Sequence, residues 1–529
     1  MLSEFTNCPG LFYVTPAQDG ILSRLRIPGG ILNSQQCRAI ADIAEQYGGG
    51  YVDVTNRANL QVREISQKIN AEVLKRLQDL GIGSSNTNVD HIRNIMTSPT
   101  AGIDPQELLD TRPFVQAWDN YIATNPALSG LSAKFSVCFD GGGKVSVRDR
   151  LNDITFAAVL VNRSVYFRLY LSAGAKGEPP KDTGILLSPD KCLSVLAALA
   201  DVYLTHIDTN SKRKPRLREV VNTLGCENYL QEVQRLSFSS VPETEVLEEK
   251  PVIHENILQP SIKNSTHRLE FLGMAKESPI PNPKSQIPNP PNCLHIGIHP
   301  QRQPGLFYLG VVLPLGRLET RQIRGLADLA AKYGSDTLRL TPWQNLLLTD
   351  IPQESLTHVQ NEIAVLGLDC SASNIKSALV ACSGNKGCAA SATDTKGDAL
   401  VLAEYLENRV SLDCPVNIHF SGCSKSCAQH SKSDITLLGV SVEENNEIVE
   451  GYQVYVGVDD NEQKFGCELY QFVTVAEVPT LIERMLLVYK NQRLNPNETF
   501  GQFANRYEIA QLKLLCDCLS FQQQSLQLR

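Results

Sequence analysis

Four of the fifteen cysteines stand in two close pairs: Cys382-x5-Cys388, then 34 residues, then Cys423-x3-Cys427. Four thiolates so arranged meet the ligand requirement of an iron–sulfur cluster or of an all-cysteine zinc site. Zinc ribbons use C-x2-C knuckles, and neither pair has that spacing, so the pattern favours iron and sulfide. Small residues crowd both pairs: Ser383, Gly384, Gly387, Ala389 and Ala390, then Ser421, Gly422, Ser424, Ser426 and Ala428. They let backbone N–H groups approach sulfur, and such hydrogen bonds tune a cluster's potential. The remaining cysteines are mostly scattered singly, and the odd count speaks against a complete disulfide framework. His419 and His430 flank the second pair. Isolated histidines are more often hydrogen-bonded structural residues. His295 and His299 read as lying on a strand, where four residues span about 13 Å, too far for a metal pair.

The elements that must position these cysteines occur twice. Gly10-Leu11-Phe12-Tyr13 recurs as Gly305-Leu306-Phe307-Tyr308. At a constant offset of 286 residues, Pro28, Gly30 and Leu32 fall on Pro314, Gly316 and Leu318, and Tyr47-Gly48 falls on Tyr333-Gly334. Thr55 then meets Thr341, and Asn59-Leu60 meets Asn345-Leu346. Such a series in order marks a twofold internal repeat. Each copy reads as strand, helix, strand, strand. In copy one a strand precedes the Pro28-Gly29-Gly30 turn, Asn33 or Ser34 caps a helix, Gly48-Gly49-Gly50 stops it, and two strands follow. On the second of these, Leu60 and Val62 point one way and Asn59, Gln61 and Arg63 the other, with Arg57 joining that polar face. Copy two has Trp343, Leu347 and Thr349 in place of Arg57, Gln61 and Arg63. Copy two alone carries the paired cysteines. This division predicts one site across a pseudo-twofold axis, cations from one half and thiolates from the other. Spacing alone leaves Arg57 and Arg63 equally readable as solvated strand charges.

Composition narrows the function. The chain has 529 residues and a formal net charge of −8, which argues against nucleic acid as a main partner. No apolar run approaches the roughly 20 residues of a membrane span. The N-terminus shows no basic and apolar export pattern, so a cytoplasmic location is expected. No G-x-G-x-x-G follows a strand, and Gly141-Gly142-Gly143-Lys144 lacks P-loop spacing, so electrons must come from a partner. Between the copies, residues 241–293 are rich in proline and read as a linker.

Cys-Ser-Gly-Asn-Lys-Gly-Cys at 382–388, followed by Ser-Gly-Cys-Ser-Lys-Ser-Cys-Ala at 421–428, resembles the [4Fe–4S] signature of assimilatory nitrite and sulfite reductases. Thr55-Asn56-Arg57-Ala58-Asn59-Leu60-Gln61 is similar to that family's T-x-R-x-N-L-Q stretch. The resemblance implies an α+β fold: tandem duplicated ferredoxin-like half-domains at 1–75 and 294–368, plus two α/β cluster-type domains. Of these, 85–240 would lack cysteine ligands and 372–520 would hold the cluster. Within the family, the chain looks most like precorrin-3B synthases. The marks are Cys8-Pro9-Gly10-Leu11 with the Asp19-Gly20 turn, the stretch Leu309–Leu318, and Lys425 between Cys423 and Cys427. Where the reductases carry a basic L-P-R-K-F-K strand, this chain has Leu131-Ser132-Ala133-Lys134-Phe135-Ser136. A small hydrated anion needs charged donors to replace its water, each contributing about 1.5–3 kcal/mol, so losing two cations argues against nitrite or sulfite.

The expectation is therefore O2-dependent oxidation of precorrin-3A at C20, with lactone formation, in cobalamin biosynthesis. Arg57, Asn59, Gln61, Arg63, Arg93 and Lys134 would bind the tetrapyrrole, and Cys382, Cys388, Cys423 and Cys427 a [4Fe–4S] cluster. An additional non-heme iron is implied, siroheme is an option, and the electron donor would be ferredoxin or an NAD(P)H-linked reductase. Two alternatives stand beside this. One is a ferredoxin-dependent siroheme nitrite or sulfite reductase, with the basic run Lys212–Arg218 available to dock an acidic carrier. The other is a four-cysteine zinc protein that binds tetrapyrroles.

Overall fold

The computed structural model describes residues 10–211, 213–237, 275–276, 294–371, 375–430, 432–444, 446–457 and 465–527. Cys8, Pro9, Lys212 and nearly all of the 241–293 linker lie outside them. Four sheets form an α+β molecule, and none of the helices is long and apolar enough to cross a membrane among the described residues.

The repeat is visible in the backbone. Residues in the left-handed region pair at the 286 offset: Ala58 with Gln344 (φ 52° and 61°), Glu64 with Asp350 (56° and 63°), Gly29 with Leu315 (69° and 51°). Left-handed backbone is costly for residues with a side chain, so its retention at matched positions marks turns that both copies require. The hydrogen bonds behind those turns also match. Asn59 Oδ1 accepts from Ile27 N at 2.8 Å, and Asn345 Oδ1 from Leu313 N at 2.9 Å. Thr55 and Thr341 hydroxyls each accept from the asparagine backbone N–H at 3.1 Å. The helices follow the expected punctuation: Asn33 forms a capping box with Gln36 at the start of Ser34–Tyr47, and Gly48 ends it.

The two copies exchange strands. Gly20–Leu25, Leu60–Ile65 and Tyr51–Val54 form a sheet whose edge is completed by Arg317–Glu319 of copy two. Reciprocally, Ile31–Asn33 of copy one completes the sheet of Leu306–Val311, Leu346–Pro352 and Thr337–Leu340. The half-domains accordingly share one hydrophobic core, in which Leu25, Val52 and Val62 pack with Leu309, Leu338 and Leu348. The helices Ser34–Tyr47 and Thr320–Tyr333 lie side by side, joined by Arg38–Asp328 at 2.6 Å and Arg324–Glu45 at 2.6 Å.

Two flanking domains each have their own core. In copy one, Ile95–Thr97, Val137–Asp140 and Ile154–Val161 run parallel before the sheet turns antiparallel. In copy two, Leu379–Ala381, Ile418–Ser421 and Ile435–Glu444 do the same. Parallel strands deliver their following loops to one edge of the sheet, the usual place for a site in an open sheet. Copy two places Cys382 directly after its first strand and Cys423 two residues after its second. At those places copy one has Ser98, whose hydroxyl donates to Val145 O at 2.7 Å, and Gly142.

Candidate metal centre

The cysteine loops are held by short-range hydrogen bonds and tight turns. Gly422 N–H donates to Cys382 Sγ at 3.3 Å, and Thr395 Oγ1 lies 3.4 Å from the same sulfur. Ser421 Oγ donates to Cys423 O at 2.8 Å, and Ser426 takes φ 57° to turn the chain toward Cys427. A Cβ on Gly422 would collide with Ser391 Oγ, and one on Gly384 would come within 2.9 Å of Thr395 N. Burial pushes the Cys427 thiol up, and Cys423, Cys382 and Cys388 push it further, so the four thiols share one neighbourhood. Cys388 and Cys427 are exposed, while Cys382 and Cys423 are half-buried.

This donor set fits a four-iron cluster better than zinc. A lone tetrahedral zinc, with Zn–S near 2.3 Å, needs sulfurs about 3.8 Å apart. Among the described residues, no three His, Cys, Asp or Glu side chains converge tightly enough for a single ion. The same fact leaves the expected second, non-heme iron without a ligand set there. His419 is buried on Ile418–Ser421, and His430 is exposed.

Copy one's strand meets these loops, as the division of residues predicts. Asn56 Nδ2 donates to Cys427 O at 3.3 Å, and Arg63 Nη2 donates to Gly387 O at 2.9 Å. Lys396, one residue beyond Thr395, reaches back to Asp53 at 2.9 Å. The solvated-charge alternative fails for Arg63, whose side chain is 4% exposed.

The six expected tetrapyrrole-binding residues differ in burial and in their partners. Asn59 is buried and supports the fold: its Oδ1 takes Ile27 N–H and its Nδ2 donates to Asn94 Oδ1 at 3.2 Å. Arg93 is buried in a fork on Asp119 at 2.7 and 2.8 Å. Arg63 is committed to Asp19 at 2.8 and 3.0 Å as well as to Gly387, and Gln61 accepts from it at 3.4 Å. Lys134 is exposed. Arg57 donates to two neutral acceptors, Asn152 Oδ1 at 2.8 Å and Leu151 O at 2.7 Å. Burial pulls it down to about 10, with Asp153 opposing and Arg216 and Arg24 adding to the fall, so it stays charged at neutral pH.

Spacing along the chain does not single out Arg24 and Arg26, yet both belong to this region. Arg24 faces Gln61 across the sheet, and Arg26 is 3% exposed. Burial, then Lys214 and Arg26, pulls His91 down to about 4, so its ring is neutral at pH 7. The signal lies in the difference between the copies, because at the 286 offset Gly310 and Val312 replace these arginines. In the basic run, Lys214 Nζ donates to Ser129 O at 3.2 Å, and Arg216 Nη2 donates to both Asp153 carboxylate oxygens at 2.9 and 3.0 Å, so both are engaged within the domain.

Both halves of the chain match known proteins. The family described as "Nitrite and sulphite reductase 4Fe-4S domain" matches residues 88–239 and 373–517, and "Nitrite/Sulfite reductase ferredoxin-like half domain" matches 15–80 and 299–366. A ferredoxin–nitrite reductase of Synechococcus elongatus is 29% identical over 459 residues, 85% of this chain and 82% of the relative. The assimilatory ferredoxin-dependent nitrite reductase of Haloferax mediterranei is 26% identical over 517 residues, 93% and 83% of the two chains. The solved structure of Mycobacterium tuberculosis NirA protein has the same fold, with TM-score 0.72, 24% identity and 93% and 84% coverage.

These matches overturn the precorrin-3B synthase expectation, and with it precorrin-3A and O2 as substrates. Of the residues that suggested it, Asp19 holds Arg63, Lys425 is exposed, and Cys8 and Pro9 lie outside the described residues. Counting cations along a single strand leaves out Arg24 and Arg26. With four stretches matched across both copies and a donor set fitting [4Fe–4S], the chain belongs to the nitrite and sulphite reductase family of oxidoreductases.

Proposed function

We propose that this chain is a siroheme- and [4Fe–4S]-dependent reductase that takes electrons from ferredoxin and reduces nitrite. The observation that carries this reading is the meeting of four thiols from copy two with the arginine-bearing strand of copy one. Similarity to ferredoxin–nitrite reductases over 85% or more of the chain supports the substrate and the donor. Nitrogen falls from plus three in nitrite to minus three in ammonium, so the site must accept electrons singly and pass on six with eight protons.

Cys382, Cys388, Cys423 and Cys427 would hold the cluster, with Gly422 N–H stabilising charge on the Cys382 sulfur. When bound, the cluster and siroheme supply one-electron storage and delivery; the protein supplies placement and charge. Arg57 retains unused N–H donors after its two neutral bonds, in a region where Arg24 and Arg216 outnumber Asp153. That surplus suits the peripheral carboxylates of siroheme, which a guanidinium grips as a fork. Lys134 and Arg26 would add positive charge for the substrate anion, while the ring of His91 beside Arg26 stays neutral at pH 7.

Anaerobically purified protein tests the reading. A Soret band with red bands, and nitrite consumed when reduced ferredoxin is supplied, are expected. Protein lacking the Soret band and inert to nitrite would refute it.

A further inference from the structure

We infer that Arg63 is a positioning residue for the cluster: it clamps the loop that carries Cys388 and sets a buried, Asp19-held cation against it. This rests on the four cysteines being cluster ligands. All three guanidinium nitrogens donate: Nε and Nη2 to Asp19 at 2.8 and 3.0 Å, Nη2 also to Gly387 O at 2.9 Å, and Nη1 to Gln61 Oε1 at 3.4 Å. Gly387 precedes Cys388 directly. A Cβ at 387 would come within 2.6 Å of Arg63 Nη2 and 3.2 Å of Asp19 Oδ2, so the clamp closes only on glycine.

Holding a loop does not by itself require the ion pair. At the cysteine-free loop of copy one, Arg339 of copy two holds the corresponding turn through Pro99 O at 3.1 Å and Ala101 O at 2.7 Å, both neutral acceptors. At the cysteine-bearing loop, copy one adds to Arg63 a carboxylate from its Ala17–Gly20 turn and largely buries the pair, with side-chain exposures of 4% and 14%. The position equivalent to Arg63 in the other copy is Thr349, which has no charge.

A cluster gains one negative charge on reduction, and charges near buried groups are screened far less than in water. Arg63 therefore favours the reduced form and Asp19 the oxidised form. The pair trims the potential while the fork fixes the loop.

Redox titration of the as-purified protein, followed by the electron paramagnetic resonance of the reduced cluster, separates charge from scaffolding. Arg63→Gln is expected to shift the one-electron equilibrium about tenfold toward the oxidised form, a midpoint about 59 mV lower. Asp19→Asn is expected to move it the opposite way, and Arg63→Lys to lie between wild type and Arg63→Gln. Loosening of the loop would move Arg63→Gln and Asp19→Asn in the same direction. Shifts of equal sign, or none, overturn the inference. Where Arg63→Gln assembles no cluster, Asp19→Asn decides: a higher midpoint supports the role, and an unchanged or lower one overturns it. Wild-type protein without iron and acid-labile sulfide would refute the cluster reading itself, whereas a cluster indifferent to both substitutions refutes only the role of Arg63.

Discussion

Arg57→Ala isolates the cationic contribution of copy one. Two costs follow from its geometry, and they appear in different measurements. The first is structural: Asn152 is buried, and its Oδ1 loses the donor now at 2.8 Å. An orphaned buried acceptor costs about 1–3 kcal/mol of stability. The second concerns the ligand, because a hydrogen bond between charged partners contributes about 1.5–3 kcal/mol. At about 1.4 kcal/mol per tenfold, siroheme affinity should fall roughly 10- to 100-fold. Titration of siroheme into apoprotein, followed at the Soret band, measures the second cost; the thermal midpoint of the same apoprotein measures the first. Asn152→Ala serves as control, since it removes the acceptor and keeps the cation: stability should fall while siroheme binding stays near wild type. Arg57→Lys should recover part of the affinity, lacking the planar fork. If Arg57→Ala binds siroheme as wild type does and only the thermal midpoint moves, the guanidinium is a scaffold for residues 151–152 and grips no carboxylate.

Other outcomes follow from the same geometry. Cys423→Ser should abolish the cluster, because serine is a poor, weakly acidic ligand; iron and sulfide at wild-type content would refute this. Asn59→Ala and Asn345→Ala should lower the thermal midpoint comparably, each orphaning one buried backbone N–H at about 1–3 kcal/mol. A large loss at Asn59 with none at Asn345 would return Asn59 to the ligand site. Burial is the main cause that pushes Glu107 up to about 8 from 4.5, assisted by Asp110 and Asp104 and opposed by the Gly102 N–H and Arg302. Its folded pKa is raised, so its stabilisation is complete below about 4.5 and drains away as pH climbs through about 8. Glu107→Gln should flatten the fall in thermal midpoint over that window, and an unchanged slope would contradict the assignment.

Much of the architecture is written in residue spacing. The repeat, the helix starting at Ser34, the strands around Tyr51 and Leu60, and the cysteine loops all depend on local rules of capping, alternation and turn chemistry. The strand exchange is not legible there. Ile31–Asn33 and Arg317–Glu319 are three-residue strands, too short for alternation to show, and their partners lie in the other copy. Recurrence also misleads at Asn59. An asparagine retained in both copies signals a shared turn, whereas the residues that differ, Arg24, Arg26, Arg57 and Arg63, mark where the copies diverged. Arg93 escapes a reading from sequence because its partner, Asp119, sits on the helix Arg112–Thr124, and tertiary pairing of that kind leaves no trace in spacing. The substrate expectation fails for a related reason: it tallies cations along one strand and leaves out Arg24 and Arg26, which lie elsewhere.

Because each half lends its sibling an edge strand, neither can be excised as a finished body. An ancestor made of two identical chains would have closed the same way, as an intertwined homodimer with twin sites. Fusion of such a pair would let one site differ in its thiols while its backbone went on supporting the other. Damage to Ile31–Asn33 should accordingly be felt in the sheet of the distant sibling, so that inheritance and injury both cross between the two lineages now joined in one polypeptide.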